Sequence, residues 1–280
     1  MEARTSVITL PSNSSSDVYP DNTTGNFRVE LAKALEFEGP HEVALTGFCY
    51  PKTWYNFPVR YQYWIRLTTV SGTLPMREIE LANGHYDSMA DLLKSIQRKI
   101  DRHNYPVTFW YSPITQKVKI YCTQPSSQCE SIDVVMSGRL GLKLGFIGMK
   151  PVGPDEGEEE EWQEHDSLPP VELLLVGGGS IQAPYPVQLD TIDLLYVNCD
   201  LASDAHVVGG MRVPLLKTVA VTGVYGSVVS YEPRVLDWLP LRHSRIKTIT
   251  VLITDGEGRP VPFERGQLTV KVHVRRARPI

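Results

Sequence analysis

The sequence has no run of about 20 apolar residues, so no membrane-spanning helix is expected. It has no strong charge of one sign. The net charge of −4 over 280 residues excludes nucleic-acid binding by bulk electrostatics. The first six residues, MEARTS, lack an apolar core behind a basic start, so no secretion signal is expected. The four cysteines, Cys49, Cys122, Cys129 and Cys199, have no C-x-x-C spacing. They sit mostly in apolar strand-like runs and are expected as buried, reduced thiols, which suits a cytosolic or nuclear origin. A disulfide between Cys122 and Cys129 stays the alternative. The N-x-S/T matches at Asn13 and Asn22 are therefore taken as polar loop residues.

Catalytic signatures are missing too. There is no G-x-S-x-G elbow and no G-x-x-x-x-G-K-[ST] phosphate loop, and the glycine run 177–179 lacks the lysine such a loop needs. Asp200, Asp204 and His206 lie close in sequence, but loop polarity explains them better than a metal site. A glutamate run at Glu158, Glu159, Glu160 and Glu161, set among prolines and glycines, reads as a solvated loop over 155–166, with a docking or ion-binding surface as the alternative. It offers no fixed, partly buried carboxylate for general acid work. No enzyme activity, cofactor or metal is expected.

What the sequence does have is β-pattern. In the stretch 246–275, Leu268, Val270, Val272 and Val274 alternate with Gln267, Thr269, Lys271, His273 and Arg275. Upstream, Ile249, Val251 and Ile253 alternate with threonines. Side chains alternate faces along a strand, so both runs are half-buried strands. The intervening Asp255, Gly256, Glu257 and Gly258 predict a tight reversal and hence an antiparallel pair. Further strands are expected around Phe27, Val29 and Leu31, over 43–49, at Tyr61, Tyr63, Ile65 and Leu67, at Ile192, Leu194 and Tyr196, and over 213–222 and 226–231. That makes three strands before a change of period and five after it, which fits an antiparallel jelly-roll sandwich.

The period changes at Met76. Ser88 is a candidate N-cap with Asp91 three residues on. Met89, Leu92, Leu93, Ile96 and Ile100 share one helical face. A hairpin over 107–122 follows, then a short helix over 137–144 closed by Gly145. The expected organisation is an N-terminal arm over 1–25 with one short strand-like piece at Val7, Ile8 and Leu10, a first sandwich part over 26–72, an inserted α+β domain over 73–182, and a second sandwich part over 183–280.

With no active site in view, surfaces become the candidates. Trp54 and Tyr55 share an aromatic loop, and Trp238 sits between two prolines in another. Such residues either make protein contacts or plug the ends of a sandwich, and sequence alone does not choose. Arg275, Arg276 and Arg278 form a basic tail; a solvated terminus is favoured over a genome contact.

Three patches resemble the minor capsid (penton) proteins of Polinton/Maverick elements and adintoviruses. The first is LPSNSSSDVYPDNT over 10–23, followed by Phe27. The second is EVALT over 42–46, with Tyr50, Pro51, Trp54, Tyr55 and Asn56. The third joins Ile249, Thr250 and Val251 to Asp255, Gly256, Val261, Pro262, Phe263 and Gly266, with a last strand ending at Arg275 and Arg276. Virophage pentons look similar at the level of fold. The resemblance implies a single jelly roll with an insert, forming homopentamers at icosahedral vertices beside a double-jelly-roll major capsid protein. It implies a virion location, with synthesis in host cytoplasm and assembly in the nucleus. The arm around Tyr19, Pro20, Asp21 and Asn22 is expected to reach a neighbouring subunit, with Trp54, Tyr55 and Trp238 as further contacts. A host surface receptor is a further expected partner. The competing reading is a jelly-roll binding module, a lectin or receptor-attachment protein.

Overall fold

The computed structural model describes residues 5–69, 71–125, 127–146, 168–189 and 192–277. The acidic loop 155–166 and Arg278 lie outside them. The chain forms two compact units: residues 1–54 with 192–280, and residues 55–191.

The first unit is a sandwich of eight principal strands: β1 (Thr5–Pro11), β2 (Asn26–Glu36), β3 (His41–Pro51), β4 (Leu194–Cys199), β5 (Leu215–Ala220), β6 (Val228–Tyr231), β7 (Arg245–Thr254) and β8 (Thr269–Arg276). One sheet runs in the order β1-β8-β3-β6, the other β5-β4-β7-β2, and every pairing is antiparallel. Successive strands alternate between the sheets except β4 and β5, which pair with each other, in the two-Greek-key order of a jelly roll. Alternation fills the interior. Val270, Val272 and Val274 of β8 and Ile249, Val251 and Ile253 of β7 are fully buried, joined by Leu10, Phe27, Leu45, Phe48, Leu195 and Val197. Tyr50 keeps its hydroxyl satisfied in this core by accepting from Thr222 N–H at 3.1 Å.

The structure corrects two expectations. First, β7 and β8 are not a pair; they lie in opposite sheets. After β7 the chain reverses over Asp255, whose carboxylate accepts from the N–H groups of Glu257 and Arg259 at 2.9 and 3.0 Å. Val261 N–H then donates to Ile253 O at 3.0 Å, and the chain crosses to the other sheet. Pro260 and Pro262 forbid a continued ladder, since neither carries an N–H. Second, the sandwich does have three strands before the insert and five after, but the third member is β1, which lies within the expected arm 1–25 on its short strand-like piece. Its register on β8 runs from Thr5 opposite Arg275 to Pro11 opposite Thr269.

The second unit, 55–191, begins earlier and ends later than the expected 73–182. Strand Tyr61–Thr69, expected in the sandwich, belongs to this unit: it pairs with Cys129–Met136 and with Arg77–Leu81. Its alternation is real, with Tyr61, Tyr63, Ile65 and Leu67 buried, but alternation says nothing of which sheet a strand joins. Val171–Val176 extends this sheet on the other side of Cys129–Met136. A second sheet holds Ser180–Gln182, Lys117–Cys122 and Val107–Ser112. The glycine run 177–179 is a tight turn closed by Gly179 N–H on Val176 O at 2.9 Å.

Helix α1 (Met89–Arg102) buries the five residues the spacing selects, Met89, Leu92, Leu93, Ile96 and Ile100. Ser88 caps it by accepting from Asp91 N–H at 3.2 Å, and the Ser88 hydroxyl donates to the Asp91 carboxylate at 2.6 Å. Helix α2 (Gly138–Leu144) ends on Gly145 in the left-handed region at φ 84°. Both helices and both sheets bury one shared apolar cluster, so the insert has its own core.

Candidate functional site

The residues selected from sequence fall at three separate places. Residues 12–25 fold back on their own subunit. Ser12 continues the β1 ladder, its N–H donating to Leu268 O at 2.8 Å and its hydroxyl accepting from Leu268 N–H at 3.0 Å. Asn22 then lies along the open edge of β2. Its side-chain oxygen accepts from Arg28 N–H at 2.9 Å, and its side-chain nitrogen donates to Arg28 O at 2.9 Å and to Ser14 O at 3.3 Å. One carboxamide thus matches both main-chain groups of an edge residue, as a neighbouring strand would. Arg28 is held over the Tyr19 ring, 4.6 Å from its centroid, and pairs with Asp21. The expected free arm is therefore a cap on the β2 edge. Pro20, Asp21 and Val18 are its exposed side.

Trp54 is 5% exposed and plugs the sandwich. It stacks on Tyr50 at 6.2 Å and meets Phe263 edge-on at 5.5 Å. As placed, it is core and not a contact surface. Tyr55, in the other unit, is half-buried. Trp238 lies half-buried on the outer face of the first sheet, under the Arg275 guanidinium at 3.6 Å and against His273 at 5.4 Å. Arg275 also donates twice to one Glu42 carboxylate oxygen, both at 3.1 Å. That cation already has a ring and a carboxylate as partners, which counts further against the genome contact that the sequence reading disfavours; Arg276 remains exposed.

Among the described residues, no three His, Cys, Asp or Glu side chains converge as a metal site. Asp204 is instead held by Arg242 at 3.1 Å. Burial pushes the Cys199 thiol up to about 12, so it stays protonated. Among the described residues, no helix is long and apolar enough to cross a membrane.

What sequence reasoning missed is the pair of sheet edges. In the first sheet β1 and β6 are the two ends of the strand order. Each presents an exposed valine, Val7 at 65% and Val228 at 72% exposure. β1 itself falls on Val7, Ile8 and Leu10, the short strand-like piece of the expected arm; what the sequence does not show is that this strand ends a sheet. A cleft of about 510 Å³ also opens on the outer face of the second sheet. Tyr196, Asn198 and Thr254 line it, with Val208 and Met211 of a short ribbon and the 255–258 turn.

The chain is thus a single jelly roll carrying an α+β unit between its third and fourth strands. No family model matches the sequence, and no curated protein matches it. Among solved structures, it is similar to the crystal structure of the mavirus penton protein over 97% of this chain and 99% of that one, with a TM-score of 0.51 at 10% identity. A chain of the Sputnik virophage, solved by cryo-EM, aligns over 98% of both chains with a TM-score of 0.44 at 12% identity. The first likeness shows a shared fold across both units.

Proposed function

We propose that this protein is a penton-type minor capsid subunit, a structural virion protein without enzymatic activity. The observation that carries the reading is the pair of unlike open edges, β1 and β6, on opposite sides of one sheet. A contact between two different surfaces of one chain is heterologous, and when its rotation closes it makes a ring. A homopentamer at a vertex is such a ring. The fold shared with the mavirus penton protein supports this reading, as do the sequence patches resembling Polinton/Maverick and adintovirus pentons. The partners are four further copies, a double-jelly-roll major capsid protein around the vertex and a host surface receptor. The place is the capsid vertex, with synthesis in host cytoplasm and assembly in the nucleus. The exposed side of the edge cap, Pro20 and Asp21, with Trp238 on the outer sheet face, lies where neighbours would touch. The loop 155–166 is unassigned in this scheme.

The test is native mass measurement of the purified chain, alone and with the major capsid protein. A species of five times the 31.4 kDa protomer mass is expected in at least one setting. Val7→Lys or Val228→Lys, each placing a charge on one open edge, is expected to leave the fold intact and abolish the ring. A strict monomer in both settings would overturn the proposal.

The 510 Å³ cleft supports a second reading, a jelly-roll binding module, since it falls within the size range of ligand sites. Glycan-array binding that Met211→Glu removes, with no vertex assembly, would favour it.

A further inference from the structure

We propose that the outer face of the three-stranded sheet in the inserted unit binds a glycan ending in a carboxylate-bearing sugar, with Trp110 as the stacking ring and Lys119 as the counter-charge. The sheet holds Ser180–Gln182, Lys117–Cys122 and Val107–Ser112 in that order. Alternation sends Val107, Phe109, Val118, Ile120 and Cys122 into the core of the unit, and all five are buried. The remaining side chains of these strands share the opposite face, and register sets them in rows. Trp110, Lys119 and Gln182 are cross-strand partners in one row, and Thr108, Tyr121 and Ser180 are partners in the next. At ordinary strand and residue spacings the two rows cover about 10 Å by 7 Å, the footprint of a mono- or disaccharide.

The ring, the charge and the free polar groups of this face fit such a sugar together. Trp110 is 49% exposed on a strand, not at a loop tip. Its strand is held on both sides. On one side runs the ladder to Lys117–Cys122. On the other lies Gln97 of α1, whose side-chain nitrogen donates to Val107 O at 3.0 Å and whose side-chain oxygen accepts from Phe109 N–H at 3.3 Å. The ring is therefore presented rigidly, and little order is lost when the apolar face of a sugar stacks on it. The three strands carry two lysines and no Asp or Glu, in a chain of net charge −4. Lys117 is engaged, its Nζ donating to Pro184 O at 2.5 Å. Lys119, among the described residues, has no ion pair, hydrogen bond or ring contact. One free cation beside one ring matches one carboxylate, whereas a sulfated polymer or a nucleic acid calls for a run of cations. The Gln182 carboxamide and the Tyr121 hydroxyl, equally without hydrogen bonds among the described residues, flank Lys119 as partners for sugar hydroxyls. That the glycan stands on a host receptor rests on the capsid reading, whereas the binding itself is tested on the isolated chain.

The experiment is saturation-transfer NMR on the folded, full-length chain with sialyllactose, lactose, a heparin oligosaccharide and an oligothymidylate, each titrated at low salt. Transfer to sialyllactose is expected, strongest at its acidic sugar, with lactose bound about fivefold more weakly for want of the charge. Trp110→Thr, which keeps a strand-forming residue, should weaken sialyllactose roughly tenfold. Lys119→Gln should bring sialyllactose down to the level of lactose and leave lactose unchanged. Met211→Glu, in the sandwich cleft, should alter neither. Both face residues lie outside the core, so the variants should unfold with the wild type; if Trp110→Thr does not fold, Lys119→Gln decides. Native mass of the same samples reads assembly separately. A chain that forms the ring but binds no glycan loses this site alone, and a strict monomer that binds it loses only the vertex reading. No transfer to sialyllactose, binding that survives either substitution, or a preference for heparin or the oligonucleotide overturns the proposal.

Discussion

Asn22→Ala tests whether a single carboxamide stands in for a missing strand. Three hydrogen bonds are lost. The two to Arg28 are both 2.9 Å and the third, to Ser14 O, is 3.3 Å. A neutral hydrogen bond contributes about 1 kcal/mol net. The site is only partly buried, so water replaces the lost partners and no full desolvation penalty appears. The sandwich should lose about 2 kcal/mol in all, near the sum of the two good bonds. For a unit of this size its unfolding midpoint falls by roughly 6 °C. Because the chain has two units, one global transition is not a safe readout. The sharper assay is hydrogen exchange at the Arg28 amide, which points away from β7 and has Asn22 as its acceptor. Exchange there should speed up roughly tenfold, while amides bonded within the β2–β7 ladder change little. The bared edge should also make the variant self-associate with concentration. An unchanged Arg28 exchange rate, with a stability loss below about 0.5 kcal/mol, would refute the strand-surrogate account.

Trp54→Ala should destabilise the sandwich by about 3–5 kcal/mol in denaturant titration, since it empties the space between Tyr50 and Phe263; a loss under about 1 kcal/mol would mean that the ring is a surface contact after all. Gly145→Ala should unfold the inserted unit by limited proteolysis while the sandwich stays resistant, because the new methyl meets the Tyr185 carbonyl oxygen and the φ of 84° disfavours any side chain. Cys199 titrates at about 12 in the folded chain and near 9 when unfolded, so its protonated form favours folding below about pH 9 and that contribution is lost as pH rises towards 12. Cys199→Ala should flatten that alkaline decline by up to about 1.4 kcal/mol per pH unit when the two chains are compared at equal denaturant.

The sequence made some of this legible because the signals were local. Ser88, Asp91 and five apolar residues at helical spacing define α1 without outside help, and the structure places each where that spacing requires. Alternation likewise found the buried faces of β7 and β8. It failed where the answer depended on partners far away in the chain. Tyr61 to Leu67 reads as a half-buried strand wherever it is placed, and only pairing with Cys129–Met136 puts it in the insert. β7 and β8 are close in sequence and look like a hairpin, yet each is completed by strands from the N-terminal part: β2 for one, β1 and β3 for the other. The candidate contact residues divided for a related reason. Sequence leaves Trp54 open between a contact and a plug and places Asn22 on a reaching arm, but a tryptophan at the end of a sandwich gains most by plugging it. An asparagine beside an edge strand gains most by bonding to it. Neither choice is visible until the edge exists.

The place of the insertion follows from the same strand order. The chain leaves the sandwich after β3 and re-enters at β4, and these strands lie in different sheets, so a crossing is required there in any case. Both are interior strands, β3 between β8 and β6, β4 between β7 and β5, so the two attachment points are fixed by ladders on both sides. Lengthening a loop between fixed ends costs little, about 0.6 kcal/mol per doubling, and a segment with its own core adds back more than that. Insertion next to β1 or β6 would put extra chain at an end of the strand order, where the ring proposal places its contacts. Transferring the insert to the β5–β6 connection should therefore block assembly even if both units fold, whereas deleting residues 55–191 and joining Trp54 to Ile192 through a short glycine linker should leave a sandwich that still forms the ring. A deleted form that folds but stays monomeric would place the assembly contacts on the insert and leave the β1 and β6 edges without a part in the ring.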